Sequence, residues 1–115
     1  MGLALILRMD GVMLTRQLFS VSYYTDLSGA SPFMGLMRSG EYTHPGAAAC
    51  GWTYFCDGVT MLLDSGEIVR CEDTGRLVTD GHIDVWVPVD ADGSEATALR
   101  MGRRSEWAWV VEGDE

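Results

Sequence analysis

Two aspartates, Asp73 and Asp84, are the residues of this sequence best suited to acid–base chemistry. Asp73 stands where an apolar run ends and a glycine-containing loop begins. Asp84 lies between Ile83 and Val85 in an alternating stretch, on the strand face that it shares with Trp86. Burial raises the pKa of a carboxyl group, and so does a second carboxylate close by, which suits a general acid. A plainer interpretation stays open, in which Asp73 only caps a turn and Asp84 faces solvent.

Short strands joined by turns must position these two aspartates. Alternating or apolar runs predict strands at residues 2–8, 18–24, 59–63, 67–71, 82–87 and 105–111. The Asp-Ser-Gly sequence at 64–66 predicts a hairpin turn. One helix is predicted over residues 92–101, and residues 112–115 are predicted to be a frayed acidic tail. The pattern indicates a mainly β chain, a small β-barrel with one short helix before the last strand.

The size and charge of the chain argue against several classes of function. Its 115 residues fit one domain, which we place over residues 1–115. The formal net charge of −9 argues against binding to nucleic acid or to anionic membrane surfaces, both of which rely on Lys and Arg. No segment is long enough to span a membrane, so no membrane insertion is expected. No signal peptide is evident, so a phage lysis or tail system is one route by which the protein would reach a cell wall.

The cysteines and histidines do not indicate a metal or cofactor site. Cys50, Cys56 and Cys71 are an odd number of cysteines, and they have no zinc-type spacing with either histidine. We expect no metal and no organic cofactor. Buried thiols are the favoured interpretation of the cysteines, and a Cys50–Cys56 bridge stays open. His82 is expected to be a solvated strand residue.

The sequence around the two aspartates resembles a known family. Glu72-Asp73-Thr74-Gly75 followed by Ile83-Asp84-Val85-Trp86 is similar to the 3D domain of membrane-bound lytic transglycosylase A and of small stationary-phase muralytic proteins of Gram-positive bacteria. The distance between the two aspartates also matches that family. Further upstream, Tyr23-Tyr24 and Ser39-Gly40-Glu41 resemble the related barrel of rare lipoprotein A.

The resemblance implies a fold, a reaction and a set of site residues. The fold of the family is a double-psi β-barrel, and its enzymes cut peptidoglycan glycan strands between N-acetylmuramic acid and N-acetylglucosamine without water. The product is a 1,6-anhydro sugar. Asp84 matches the residue that acts as acid and base, and Asp73 matches its supporting partner. The residues expected to contact the sugar are Tyr24, Glu41, His44, Thr74, Gly75 and Trp86.

One departure from the family leaves other functions open. The first aspartate of the family should fall near residues 50–52, where this sequence has none, and Glu41 is the candidate replacement. This loss favours a non-catalytic module of the same fold, which would bind glycan or serve as a structural part of a virion. A glycoside hydrolase of the same barrel type would need a second carboxylate, for which Glu41 is again the candidate. The oligomeric state is left open, and a dimer is among the alternatives.

Overall fold

Seven strands and two short helices account for most of the described chain. The protein is known from a computed structural model, which describes residues 5–9, 11–27 and 35–113. In chain order the elements are β1 (Leu5–Met9), β2 (Val12–Tyr24), β3 (Ala47–Cys50), α1 (Trp52–Asp57), β4 (Thr60–Leu63), β5 (Ile68–Asp73), β6 (His82–Trp86), α2 (Ala96–Met101) and β7 (Arg104–Gly113).

Six of these strands close into a barrel. The hydrogen-bonded order is β1-β2-β6-β3-β5-β4-β7, and an additional pairing of β2 with β7 closes the ring. The β2–β6 and β3–β5 pairs are parallel, whereas the other pairs are antiparallel. Strand β1 lies outside the ring, paired with β2. The predicted fold class, a small mainly β barrel with a short helix before the last strand, is confirmed. Its assignment to the double-psi type stays a prediction.

Side-chain alternation fills the interior of the barrel. Ile83 and Val85 point inward from β6, as the sequence predicts, and are 0% and 4% exposed. Fully or nearly buried residues of the five remaining barrel strands complete the core: Phe19, Val21, Ala48, Cys50, Met61, Leu63, Val69, Cys71, Ala108 and Val110. Each large apolar side chain of this kind contributes about 1.5–3 kcal/mol when fully buried. Because side chains occupy the interior, as in other small barrels, functional groups must lie on the outer face or in loops.

The helices and strand ends differ in detail from the prediction. The hairpin turn at 64–66 is present, and Gly66 N–H donates to the Leu63 carbonyl at 2.9 Å. Helix α2 begins at Ala96 rather than at residue 92, after a turn, and is closed by Gly102 as predicted. Strand β7 extends through Gly113, so the first two residues of the predicted frayed tail are paired with β2. Residues 2–4 of the predicted N-terminal strand and residues 114–115 of the tail lie outside the described residues.

Helix α1 is absent from the prediction. Its sequence, WTYFCD, is poor in strong helix formers, so local propensity gives no signal for it. Two glycines define it: Gly51 has extended geometry at the N-cap, and Gly58 has left-handed geometry, with φ 59°, at the C-cap. Asp80 accepts hydrogen bonds from the backbone N–H and hydroxyl of Thr53 at the start of the helix. The helix therefore depends on a contact with a loop that is distant in sequence.

A disulfide joins β3 and β5. Cys50 and Cys71 are bonded, with their Cα atoms 5.5 Å apart, and Cys56 is an exposed free thiol on α1. Both interpretations of the cysteines from sequence, three buried thiols and a Cys50–Cys56 bridge, are therefore wrong. The physical reason is the parallel pairing of β3 with β5, which brings together two residues that are 21 positions apart. Local spacing cannot reveal such a pairing.

None of the helices in the described part of the chain is long and apolar enough to cross a membrane.

Candidate functional site

The pairing of four strands sets Asp84 and Asp73 on one row of the outer barrel face. Asp84 is in register with Ser22 of β2 on one side and with Ala49 of β3 on the other. Ala49 is in turn in register with Asp73 of β5. Ala48 pairs with Cys71, and a register shift after it makes Asp73, rather than Glu72, the partner of Ala49. Since neighbouring strands lie about 4.8 Å apart, roughly 10 Å separates the two aspartate backbones.

Asp84 is a half-buried carboxyl group with a short polar network. Burial raises its pKa, and the hydrogen bond from Ser22, the largest of the opposing effects, offsets this only in part. Ser22 Oγ donates to Asp84 Oδ1 at 3.0 Å. The interpretation of Asp84 as a solvated strand residue is therefore wrong. Its environment favours the protonated form, which is what a general acid needs.

Ser22 also links Asp84 to His82. The distance from Ser22 Oγ to His82 Nε2 is 2.6 Å. Because the single hydroxyl hydrogen goes to Asp84, the Nε2 atom must carry the hydrogen in the second bond, which fixes the tautomer of a neutral His82. Burial lowers the pKa of His82, so this ring is uncharged near neutral pH. His82 is half-buried rather than fully solvated, because its ring is hydrogen-bonded to Ser22 of β2.

Sequence reasoning missed Ser22 and misjudged His82. The available signal was alternation, since Ser22 shares a strand face with Tyr24 just as His82 shares one with Asp84. Alternation within each strand cannot show that the face of β2 and the face of β6 form one surface. That fact requires the parallel pairing of β2 with β6, across about sixty residues of sequence.

Tyr24 lies next along this surface and carries a buried hydroxyl group. Its Oη atom has no hydrogen-bond partner among the described residues. Burial raises the pKa of the phenol, and so do carboxylates around it, those of Asp73, Asp84, Asp26 and Glu72 in decreasing order of effect. The phenol therefore stays neutral and can donate a hydrogen bond. A buried donor without a partner is uncommon in proteins, so a bound group or water is expected there.

Asp73 holds backbone in place. Its Oδ1 atom accepts hydrogen bonds from the backbone N–H of Arg38 at 3.0 Å and of Thr74 at 2.9 Å. The plainer interpretation, that Asp73 caps a turn, therefore describes part of its role. Thr74 is half-buried, and Gly75 is exposed, where its carbonyl accepts from Val78 N–H and closes the turn.

Trp86 is half-buried on the outer face, in register with Tyr24. Its indole N–H donates to Asp26 Oδ1 at 2.9 Å, and the Thr43 hydroxyl donates to the same oxygen at 2.7 Å. Trp86 is thus neither a core residue nor a freely exposed platform. Through Asp26 it ties the end of β6 to the segment at residues 35–46.

Glu41 and His44 lie together on a different part of the surface. His44 Nε2 is 2.7 Å from Glu72 Oε2, and a hydrogen bond to Glu72 raises the pKa of the histidine. Glu41 offers a carboxylate oxygen within 4.8 Å of the other two side chains. These residues line an open cavity of about 550 Å³, together with Arg70 and residues of α1. The structure brings Glu41 to Glu72 and His44, and Asp84 does not line this cavity.

Position 51, within the stretch 50–52 near which the resemblance places the first aspartate of the family, is closed to any side chain. A Cβ atom on Gly51 would lie 2.1 Å from the Asp80 carboxylate and 2.5 Å from the Asp80 backbone. Asp80 thus packs directly on the backbone at Gly51. No residue other than glycine fits at position 51 without movement of the 75–81 loop.

No protein-family model and no curated protein matches this sequence at a significant level. What the site does must therefore be inferred from its residues and their geometry.

Proposed function

We propose that this protein cleaves peptidoglycan glycan strands as a lytic transglycosylase, with Asp84 as the acid and base. The observation that carries this proposal is the environment of Asp84, a half-buried carboxyl group with a raised pKa on the outer face of a closed barrel. A structural carboxylate gains nothing from burial without an ionic partner, whereas a general acid requires the proton that burial retains. The resemblance to the 3D domain over residues 72–86 supports the same assignment.

The reaction needs one proton-transfer group, which Asp84 provides. Protonated Asp84 gives its proton to the glycosidic oxygen as the bond to the anomeric carbon breaks. The resulting carboxylate accepts the proton of the muramoyl 6-hydroxyl group as that oxygen attacks the anomeric carbon. The proton count balances, no water is consumed, and the product is a 1,6-anhydro sugar. Since the substrate supplies the nucleophile, a second carboxylate beside Asp84 is not required.

The neighbours of Asp84 suit this cycle. Ser22 donates to the carboxylate, which stabilises the charged form after the first proton transfer. Its second hydrogen bond, to His82, fixes the direction of the hydroxyl group. Tyr24 Oη, near both aspartates, has no partner among the described residues, and a sugar hydroxyl or acetamido oxygen can accept its hydrogen bond. Asp73 acts by holding the backbone that borders the sugar site.

The disulfide is consistent with action on the cell wall. Disulfides persist in oxidising surroundings such as the bacterial periplasm and the cell exterior. A protein with the Cys50–Cys71 bond is suited to the compartment that holds peptidoglycan.

The alternative is a glycan-binding module without activity. The position of the open cavity favours it, because that cavity lies over Glu41, His44 and Glu72 and not over Asp84. Such a module would bind glycan strands at the cavity and would not depend on the protonation of Asp84.

Digestion of purified peptidoglycan, followed by mass spectrometry of the soluble products, tests both functions. Wild type, Asp84→Asn and the control Asp64→Asn are compared at equal concentration. Asp64 is an exposed hairpin carboxylate paired with Arg16, so this control has the same change of charge away from the site. We expect anhydro-muropeptides from wild type and Asp64→Asn, and at least about a hundredfold less from Asp84→Asn.

Other products would support other functions. Sugars with a reducing end would indicate hydrolysis. If none of the three proteins releases any product, while all three sediment with peptidoglycan, the enzyme proposal is wrong. That result would support the glycan-binding module. If Asp84→Asn retains wild-type activity, Asp84 is not the acid.

A further inference from the structure

We propose that Glu41, His44 and Glu72 form a binding site for one divalent transition-metal ion, with Zn²⁺ as the ion that fits best. Each residue offers one donor atom, and the three atoms lie within 4.8 Å of one another. We call these three residues the Glu-His-Glu cluster. The cluster is separate from the glycan-cleaving site, and metal binding there does not depend on the proposed activity.

The orientation of His44 is that of a metal ligand. Its Nδ1 atom lies 2.8 Å from the carbonyl oxygen of Pro45, which can only accept a hydrogen bond. Nδ1 therefore carries a hydrogen, and Nε2 is directed at the Glu72 carboxylate, 2.7 Å away. Metal-binding histidines commonly donate one ring N–H to a carbonyl or carboxylate and present the other nitrogen to the ion. In the ion-free protein Nε2 donates its hydrogen to Glu72, and Zn²⁺ would displace that proton to bind Nε2.

The cluster can reach metal-ligand geometry with small movements. Zn²⁺ binds His nitrogen at about 2.0–2.1 Å and carboxylate oxygen at about 2.0–2.2 Å, so tetrahedral donors lie roughly 3.4 Å apart. The His44–Glu72 pair must open slightly, and Glu41 must move closer. Glu41 is exposed and His44 is 41% exposed, so both side chains can rotate. Glu72 is 8% exposed in the barrel wall and serves as the fixed ligand.

The kind and number of donors select the ion. Two carboxylates and one imidazole balance a divalent charge and match the three protein ligands of open zinc sites. Ca²⁺ takes six to eight oxygen ligands and Mg²⁺ an octahedral oxygen set, so the cluster suits neither ion well. The adjoining cavity of about 550 Å³ leaves the fourth position open to water or to a small oxygen or nitrogen donor.

The free cysteine must be controlled in any test. Cys56 is exposed and lines the same cavity, and a thiolate would itself bind Zn²⁺. The experiment therefore uses untagged Cys56→Ser protein with the Cys50–Cys71 bond intact. Zn²⁺ is titrated against a chromophoric chelator, and the imidazole ¹⁵N resonances of the two histidines are recorded with and without Zn²⁺. His82 serves as the internal reference, because it lies in the Ser22–Asp84 network.

We expect one Zn²⁺ per chain and a shift of the His44 Nε2 resonance alone. Glu41→Gln and His44→Asn should each weaken Zn²⁺ binding at least about tenfold. Glu112→Gln on β7, which removes one carboxylate as Glu41→Gln does, should leave the affinity unchanged. Glu41 is exposed, so its variant tests the cluster without disturbing the fold. The proposal fails if Cys56→Ser abolishes binding, if His44→Asn binds Zn²⁺ as well as the parent, or if the His82 resonance shifts instead. A failure of glycan cleavage would leave these readouts unchanged.

Discussion

Loss of the Cys50–Cys71 bond should destabilise the barrel by about 3 kcal/mol. The bond closes a segment whose ends are 21 residues apart. In the chain-entropy treatment, a closed loop of that length removes about 11 cal/mol/K from the unfolded chain, which is about 3 kcal/mol at 25 °C. For a domain of this size the melting temperature should fall by roughly 10–20 °C.

The bond should matter for the site as well as for stability. Cys71 is two residues before Asp73, and Cys50 follows Ala49, the residue that separates Asp73 from Asp84 in the sheet. Reduction therefore loosens the strand pair that sets the spacing of the two aspartates. We expect peptidoglycan cleavage to fall more steeply with temperature in the reduced protein.

Reduction of the wild type is the cleanest perturbation, because it removes no side-chain atoms from the core. Urea unfolding of oxidised and reduced protein gives the difference in free energy, and Cys56→Ser controls for the free thiol. Mass spectrometry after thiol alkylation must show one free cysteine in the oxidised protein. Three alkylated cysteines, or equal unfolding free energies in the two states, would contradict this prediction.

Four further predictions concern the site. Asp84→Asn should raise the free energy of unfolding at pH 7 by about 0.5–2 kcal/mol, since the amide has no charged form for burial to disfavour, and urea unfolding checks this; a less stable variant would contradict it. Ser22→Ala removes a bond that lowers the pKa of Asp84, so the basic limb of the pH profile of kcat/KM should move to higher pH; an unchanged limb would show that Asp84 does not set it. Gly51→Ala should cost at least about 2 kcal/mol of stability through its clash with the 75–81 loop, and a melting temperature equal to that of wild type would count against the structure there. Asp73→Asn should retain most of the activity and Asp73→Ala should lose at least about 1 kcal/mol of stability, because only the amide keeps an oxygen acceptor for the two backbone N–H groups; equal loss of activity in both variants would mean that the charge itself is needed.

The pH dependence of the Asp84→Asn effect follows from the direction of the pKa shift. The folded-state pKa of Asp84 is raised above the ordinary value of 3.8, so the folded protein favours the protonated acid. The corresponding stability is fully present below the unfolded pKa and is lost as pH rises through the folded pKa. The stability advantage of Asp84→Asn should therefore be largest at neutral pH and should vanish below about pH 4. An advantage that is independent of pH would point to packing rather than charge.

The sequence predicted those features of the site that depend on local pattern. Alternation over β6 placed Ile83 and Val85 inside and Asp84 outside, and the hairpin turn at 64–66 follows from its own residues. The disulfide, the Ser22–Asp84 contact and helix α1 depend on pairings between distant segments, which leave no periodic signal. The position of Glu41 likewise depends on how a loop folds over β5, so the sequence could name this residue but not its neighbours.

Two consecutive acidic residues at the end of β5, Glu72 and Asp73, hold the segment at residues 35–46. Asp73 accepts a hydrogen bond from the backbone N–H of Arg38, and the Glu72 carbonyl accepts one from Ser39. The Glu72 side chain holds His44 further along the same segment. A divalent ion at the Glu-His-Glu cluster would fasten the segment at its centre. Zn²⁺ bound there would thus stabilise the surroundings of Asp84 without touching it, which separates a structural effect of the metal on glycan cleavage from a chemical one.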